Sequence, residues 1–156
     1  MKLFVLAGAL VLTSGVALAA PVITAHEAWV REVPPVSPVA AMFVRLHNAS
    51  DKPVAITAMQ SPAAERVEWH DMTMAAGHMR MTQRHQIALP PGDSVLAASA
   101  SHLMLMALRK PLRVGDQVPV SMTLANGETL ALTATVRATQ PMARPTNKPM
   151  SMPHDH

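Results

Sequence analysis

The sequence predicts an all-β domain, a Greek-key β-sandwich, followed by a disordered C-terminal tail. Three observations carry this reading. Short stretches of alternating apolar and polar residues recur from Met42 to Val136, and Pro, Gly, Asn and Asp punctuate them at short intervals. No stretch keeps a helical period over the ~11 residues that identify an amphipathic helix. Seven or more short strands in a domain of this size fit two packed antiparallel sheets, with a small closed barrel as the alternative.

The elements follow in order. Met42, Val44 and Leu46 alternate with Phe43, Arg45 and His47, and the turn signal Asn48-Ala49-Ser50-Asp51 separates them from Val54, Ile56 and Ala58. Val67 and Trp69 point one way, Glu68 and His70 the other. Met79 and Met81 share a face opposite His78, Arg80 and Thr82. Ile87 and Leu89 lead into the turn Pro90-Pro91-Gly92-Asp93, after which Val95 and Ala97 resume the pattern. Leu103 and Leu105 lie opposite His102, Met104 and Met106. Val118, Val120, Met122 and Leu124 then pair across Asn126-Gly127, a strong hairpin signal, with Leu130, Leu132, Ala134 and Val136.

Both ends depart from this pattern. Residues 1–19 hold one lysine, an apolar run and the small-residue close Ala17-Leu18-Ala19, the layout of a secretory signal cleaved near Ala19. The run is shorter than the ~20 apolar residues of a transmembrane anchor, the competing interpretation. No later segment is apolar enough to span, so no membrane insertion is expected after cleavage. Beyond Arg137, Pro141, Pro145, Pro149 and Pro153 recur at four-residue intervals, so residues 138–156 read as a disordered His/Met-rich tail. Residues 20–137 remain as one domain.

Composition narrows the chemistry. Removing Lys2 with the signal leaves a formal charge of only +2, too little bias to argue for nucleic acid. Cysteine is absent, which excludes thiol–disulfide chemistry, Cys-based zinc sites and blue-copper ligation. Methionine is abundant, with thirteen residues against two Phe, two Trp and no Tyr. Met42, Met59 and Met122 read as fillers of core gaps. Those clustered near histidines call for another explanation.

His102 and Met104 lie two apart on a predicted strand, so their side chains leave the same face roughly 6.5–7 Å apart. His70 ends an earlier run and Met81 lies on a third, giving the pattern H-x10-M-x20-H-x-M. Thioether sulfur suits soft Cu(I) and poorly suits Zn(II), Ca(II) or Mg(II), while imidazole serves copper in either oxidation state. Two of each without a carboxylate favour Cu(I). Because neutral ligands leave the ion's charge uncompensated, the site is expected near the surface. Taken singly, each such His or Met is more often a surface or core residue; the set carries the inference.

The sequence resembles the periplasmic copper chaperones called PCu(A)C. The likeness runs through Ala28-Trp29-Val30-Arg31, Pro34-Pro35, Arg45-Leu46-His47-Asn48, Ser61-Pro62-Ala63-Ala64, Val67-Glu68-Trp69-His70 and Met79-Arg80-Met81. It continues through Leu89-Pro90-Pro91-Gly92, His102-Leu103-Met104-Leu105-Met106, Pro111-Leu112 and Gly115-Asp116. The resemblance implies a cupredoxin-like β-sandwich that binds Cu(I) through His70, Met81, His102 and Met104. It further implies delivery to the dinuclear copper centre of cytochrome c oxidase, through its copper-binding subunit, a Sco-type protein or both. In two places the sequence departs from the family pattern. The spacer between Met81 and His102 is one residue shorter than usual, which bears on where Met81 stands, and Ser99-Ala100-Ser101 replaces glycines that commonly precede the histidine.

Further His and Met residues remain. Met142, Met150, Met152, His154 and His156 in the tail read either as a second copper site, suited to Cu(II) through the terminal imidazoles, or as an unstructured polar end. Met72, Met74, His78 and Met79 read either as a thioether-rich rim passing copper inward or as a loop beside the site. His26, His47 and His85 are left as surface residues. Arg109, Lys110 and Arg113 form a basic edge, either solvated or docking an acidic partner. The expected function is a non-enzymatic copper metallochaperone of the periplasm, with a copper-tolerance buffer as the alternative and a metal-free adhesive sandwich behind both.

Overall fold

The computed structural model describes residues 20–139; the expected signal segment and all but the first two residues of the expected tail lie outside them. Ten strands form, and no helix among the described residues. They are β1 (Ile23–Arg31), β2 (Val39–Asn48), β3 (Val54–Gln60), β4 (Ala64–Ala75), β5 (His78–Arg84), β6 (Ile87–Leu89), β7 (Gly92–Leu96), β8 (His102–Leu108), β9 (Gln117–Leu124) and β10 (Thr129–Arg137). The hydrogen-bonded order is β5-β4-β8-β2-β1-β10-β9-β3-β6, with β7 also paired to β2. Every pairing is antiparallel except β1 with β10, which is parallel.

Alternation explains how this ladder becomes a sandwich. Met42, Val67, Trp69, Leu103 and Leu105 from one half share a single buried cluster with Ile56, Val118, Val120, Met122 and Val136 from the other. Most strands bury one row of side chains and leave the other for solvent, while β5 is exposed throughout and β2 buries Phe43 as well as its inner row, so the two halves close on one core. Strand β1 links them. Its register shifts between His26 and Trp29, with Glu27 at φ 53°, and beyond this bulge Trp29, Val30 and Arg31 turn to pair with β10.

The turn residues have definite roles. Pro90-Pro91 carries the chain from β6, paired to β3, across to β7, paired to β2, and Gly92 turns the corner at φ 87°. Asn126-Gly127 does make the β9–β10 hairpin. Leu124 N–H donates to the Glu128 carbonyl, so the loop holds three residues, with Gly127 at φ 87° after Asn126 rather than a two-residue turn. Asn48, only 2% exposed, donates to the Lys52 and Leu89 carbonyls and accepts from Ser50, tying the β2–β3 turn to β6.

Two details of the alternation differ from expectation. A register shift between Ile56 and Ala58 exposes Ala58, expected on the face of Val54 and Ile56, while Met59 packs against the core as a gap filler should. At β7 the buried residue is Leu96, opposite Val44, while Val95 is 55% exposed opposite Arg45. Val95, Leu96 and Ala97 are all apolar, so hydropathy alone left the phase of this strand open. Met42 and Met122 are fully buried, as core-filling methionines should be.

Replacing Asn48 with Ala removes the side-chain donors to the Lys52 and Leu89 carbonyls. The expected loss is about 2 kcal/mol, read from urea unfolding; an unchanged midpoint would show that the turn does not depend on this side chain.

Candidate metal centre

The centre is built on the outward faces of β4, β5 and β8. His70 on β4 stands directly opposite His102 on β8, and Glu68 opposite Met104. Directly paired residues share a face with Cβ atoms about 4.5–5.5 Å apart, and here the two imidazole rings lie 6.3 Å centroid to centroid. His70, His102 and Met104 are therefore neighbours in a block of two adjacent strands. Phe43 closes the β2 side, its ring 6.2 Å from that of His102.

Met81 is placed differently. It lies on β5 opposite Met72, whereas the β5 residue opposite His70 is Gln83. Met81 thus stands across β4 from the His102 strand, roughly 10 Å away in strand spacings, and one same-face position beyond His70 toward the hairpin tip. Exposure follows the same gradient: His102 is 4% exposed, His70 and Met104 are partly buried, and Met81 is 52% exposed. Three of the four expected ligands are brought together, and the fourth sits on the outlying ribbon. The tail residues Met142, Met150, Met152, His154 and His156 lie outside the described residues.

Hydrogen bonding prepares the two imidazoles. His70 Nε2–H donates to Glu68 Oε2 at 2.9 Å, leaving Nδ1 buried with no partner. His102 Nδ1–H donates to the Ala100 carbonyl at 3.3 Å, leaving the Nε2 lone pair. One ring nitrogen of each is thus held by the protein and the other is left as a donor for a metal, the arrangement common behind metal-binding histidines. The hydrogen bond from His70, helped by the nearby Arg66, holds the Glu68 carboxyl below its ordinary pKa despite partial burial. Glu68 belongs to the His70 face by simple alternation, but nothing in the sequence pattern marks it as the partner of His70.

A second carboxylate works on the opposite face. Asp71 Oδ1 accepts from Trp69 Nε1 at 2.9 Å and from Ser101 Oγ at 2.6 Å, and Oδ2 pairs with Arg84. Burial opposes ionisation of Asp71, but these three donors outweigh it and hold its pKa below the usual carboxylate value. The residues flanking His70 and the residue preceding His102 are thereby fastened to one another. Ser101 contributes a hydrogen bond that a glycine at this position would lack.

Among the described residues no three His, Asp or Glu side chains gather around one point, and the Met104 thioether lies beside the two imidazoles as a further, soft donor. His26 and His85 are exposed, and His47 pairs with Asp93 at 2.7 Å. The basic edge at Arg109, Lys110 and Arg113 is solvent-exposed.

A two-layer β domain with paired imidazoles and a thioether on one sheet face is an all-β, cupredoxin-like sandwich of the PCuAC type. Residues 23–136 match the family described as LpqE-like lipoprotein, and the chain belongs to this family. It is 32% identical to Cu(I)-bound DR1885 from Deinococcus radiodurans, covering 78% of this chain and 81% of that one with a TM-score of 0.59. Apo-DR1885 matches at 28% identity over 89% and 95% of the two chains, TM-score 0.58. The copper-bound PCuAC domain from PmoF2 shares the fold at TM-score 0.65, with 21% identity over 78% of this chain and 97% of that one. A protein of Leifsonia xyli subsp. xyli that is named as a lipoprotein, Lxx21020, is 26% identical over 113 residues, 71% of this chain and 67% of its own.

Because the folded pKa of Asp71 is depressed, its contribution to stability is present above the unfolded value and lost as pH falls through the folded one. Asp71→Asn should cost about 2 kcal/mol near neutrality, with the gap to wild type closing below pH ~4. Urea unfolding followed by tryptophan fluorescence across that range checks this; a gap that persists at acid pH would assign the effect to packing.

Proposed function

We propose that the chain is a periplasmic copper metallochaperone that carries Cu(I) on His70, Met81, His102 and Met104. It would deliver the ion toward the dinuclear copper centre of cytochrome c oxidase, to the copper-binding subunit or through a Sco-type protein. The observation that carries this reading is the His70–His102 pair, each ring with one nitrogen bonded to the protein and the other left to donate, beside the Met104 thioether. The Cu(I)-bound relative at 32% identity supports the choice of ion.

The geometry suits a cargo that must leave again. His70, His102 and Met104 form a base on adjacent strands, and the exposed ribbon brings Met81 to the ion by closing over it. All four donors are uncharged, so the ion is held by soft coordination rather than by opposite charge. Glu68 keeps the proton of His70 on the nitrogen turned away from the ion and makes the ring a better donor. An acceptor enters from the exposed Met81 side and replaces the ligands one at a time. The reading is one of carriage, with no reaction catalysed.

Export follows from the N-terminal segment, with cleavage near Ala19 proposed. The tail, with Met142, Met150, Met152, His154 and His156, is proposed to hold a second ion as Cu(II).

His102→Ala or Met104→Leu should weaken Cu(I) binding at least about 100-fold, and Glu68→Gln about 10- to 100-fold through His70, measured against a Cu(I) chelator. Protons compete for imidazole but not for thioether, so affinity should also fall on acidification through the range in which imidazoles protonate. An affinity flat from neutrality to pH ~5 would rule out the histidines. Mixing the Cu(I)-loaded protein with a soluble oxidase copper domain or a Sco protein tests delivery. Transfer to neither, with copper sensitivity on gene deletion, would make the protein a buffer instead. Truncation after Arg137 should remove only the tail's copper.

A further inference from the structure

The β4–β5 hairpin carries methionines in a pattern that core packing does not explain. Its turn is Ala76-Gly77, at φ 51° and 78°, closed by the pair Ala75–His78. Inward from that turn the directly opposed pairs are Met74–Met79, Thr73–Arg80, Met72–Met81 and Asp71–Thr82. One face of the ribbon therefore presents Met72, Met74, Met79 and Met81, and the other presents Thr73, His78, Arg80 and Thr82.

In a two-residue hairpin the pair flanking the turn exchanges hydrogen bonds, so alternate pairs beyond it do not. Both methionine pairs fall on these non-hydrogen-bonded positions, where Cα atoms approach to about 4.5 Å and side chains are closest. Successive pairs on the same face are roughly 6.5–7 Å apart, a gap that flexible methionine side chains close from both sides. Four sulfurs thus fall within reach of one point.

Met74, Met79 and Met81 are 68%, 55% and 52% exposed, whereas Met42 and Met122 are 0% exposed. Methionine gains stability by filling gaps in a core, and every residue of β5 is exposed. Met72, the innermost of the four, is partly buried, but burial does not account for Met74, Met79 and Met81 on the same face of this ribbon. Soft-metal ligation does, because a thioether must be accessible to take up Cu(I).

We propose that Met72, Met74, Met79 and Met81 form a second, all-thioether site for Cu(I) on the outer face of the hairpin. This site shares Met81 with the inner one. The proposal rests on the inner-site reading only for that sharing. Register groups Met81 with the outer pairs, and closing of the ribbon brings it to His70 and His102, so the same sulfur serves as the point of exchange between an outer landing site and an inner holding site. The outer set has no imidazole and no carboxylate, so its hold on Cu(I) is the weaker and insensitive to imidazole protonation.

The test is a titration of the full mature chain with Cu(I), and with Ag(I) as a redox-inert soft surrogate, followed by NMR of 13C-labelled methionine methyl groups. The Met104 methyl should shift with the first equivalent, and the Met72, Met74 and Met79 methyls with a later one. In Met74→Leu/Met79→Leu the later hairpin shift at Met72 should vanish while the Met104 response stays. In His70→Ala/His102→Ala the hairpin shifts should survive. Movement of the hairpin methyls without any response at Met104 would support the outer site and overturn the inner one. Hairpin methyls that stay still while Met142, Met150 and Met152 move would overturn the proposal and place the surplus ion on the tail. Loss of the hairpin shifts in the double histidine variant would overturn it as well.

Discussion

The carboxylate of Asp71 is the constraint on which the face that carries His70 and His102 depends. It receives Trp69 from its own strand, Arg84 from the end of β5 and Ser101 from the residue before β8. Because side chains alternate across a strand, fixing residues 69 and 71 on the inner side fixes His70 on the outer side, and fixing Ser101 does the same for His102. A one-residue slip of β4 against β8 would turn His70 away from His102 and bring core residues into solvent. Stabilisation of one carboxylate by three donors, one of them charged, offsets its partial burial.

From this anchored row the surface loosens outward. His102 is buried, His70 and Met104 are partly so, and the hairpin beyond is exposed on both faces. Rigid strands paired on both edges hold the imidazoles; the methionines of β5 sit on an edge strand paired on one side only. A protein that accepts and gives up a soft ion benefits from both conditions. In the proposed function, the fixed pair of nitrogens would select the ion and its geometry, and the displaceable sulfurs would open the way to an acceptor.

Much of this was legible in the sequence because β-structure writes itself in a period of two. The faces of Val67 to His70, of His102 to Met106 and of Met79 to Thr82 all follow from alternation. So do the core roles of Met42 and Met122. Alternation failed where it was interrupted or saturated: a bulge shifted phase between Ile56 and Ala58, and an all-apolar run around Val95 offered two equivalent phases. The hydrogen bond between Asp71 and Ser101 was not legible because the two lie thirty residues apart and meet only through the pairing of β4 with β8.

The sequence by itself determined the fold class, the pairing of soft donors with the absence of cysteine, and which residues share a strand face. These are local properties, set by composition and by the geometry of an extended chain. Tertiary structure alone decided that His70 faces His102, that Glu68 and Ala100 each hold one nitrogen of those rings, and that Met81 stands with Met72 on the outer ribbon. Strand order and register decide these, through contacts between residues distant in the chain, and residue spacing cannot encode which strand becomes whose neighbour.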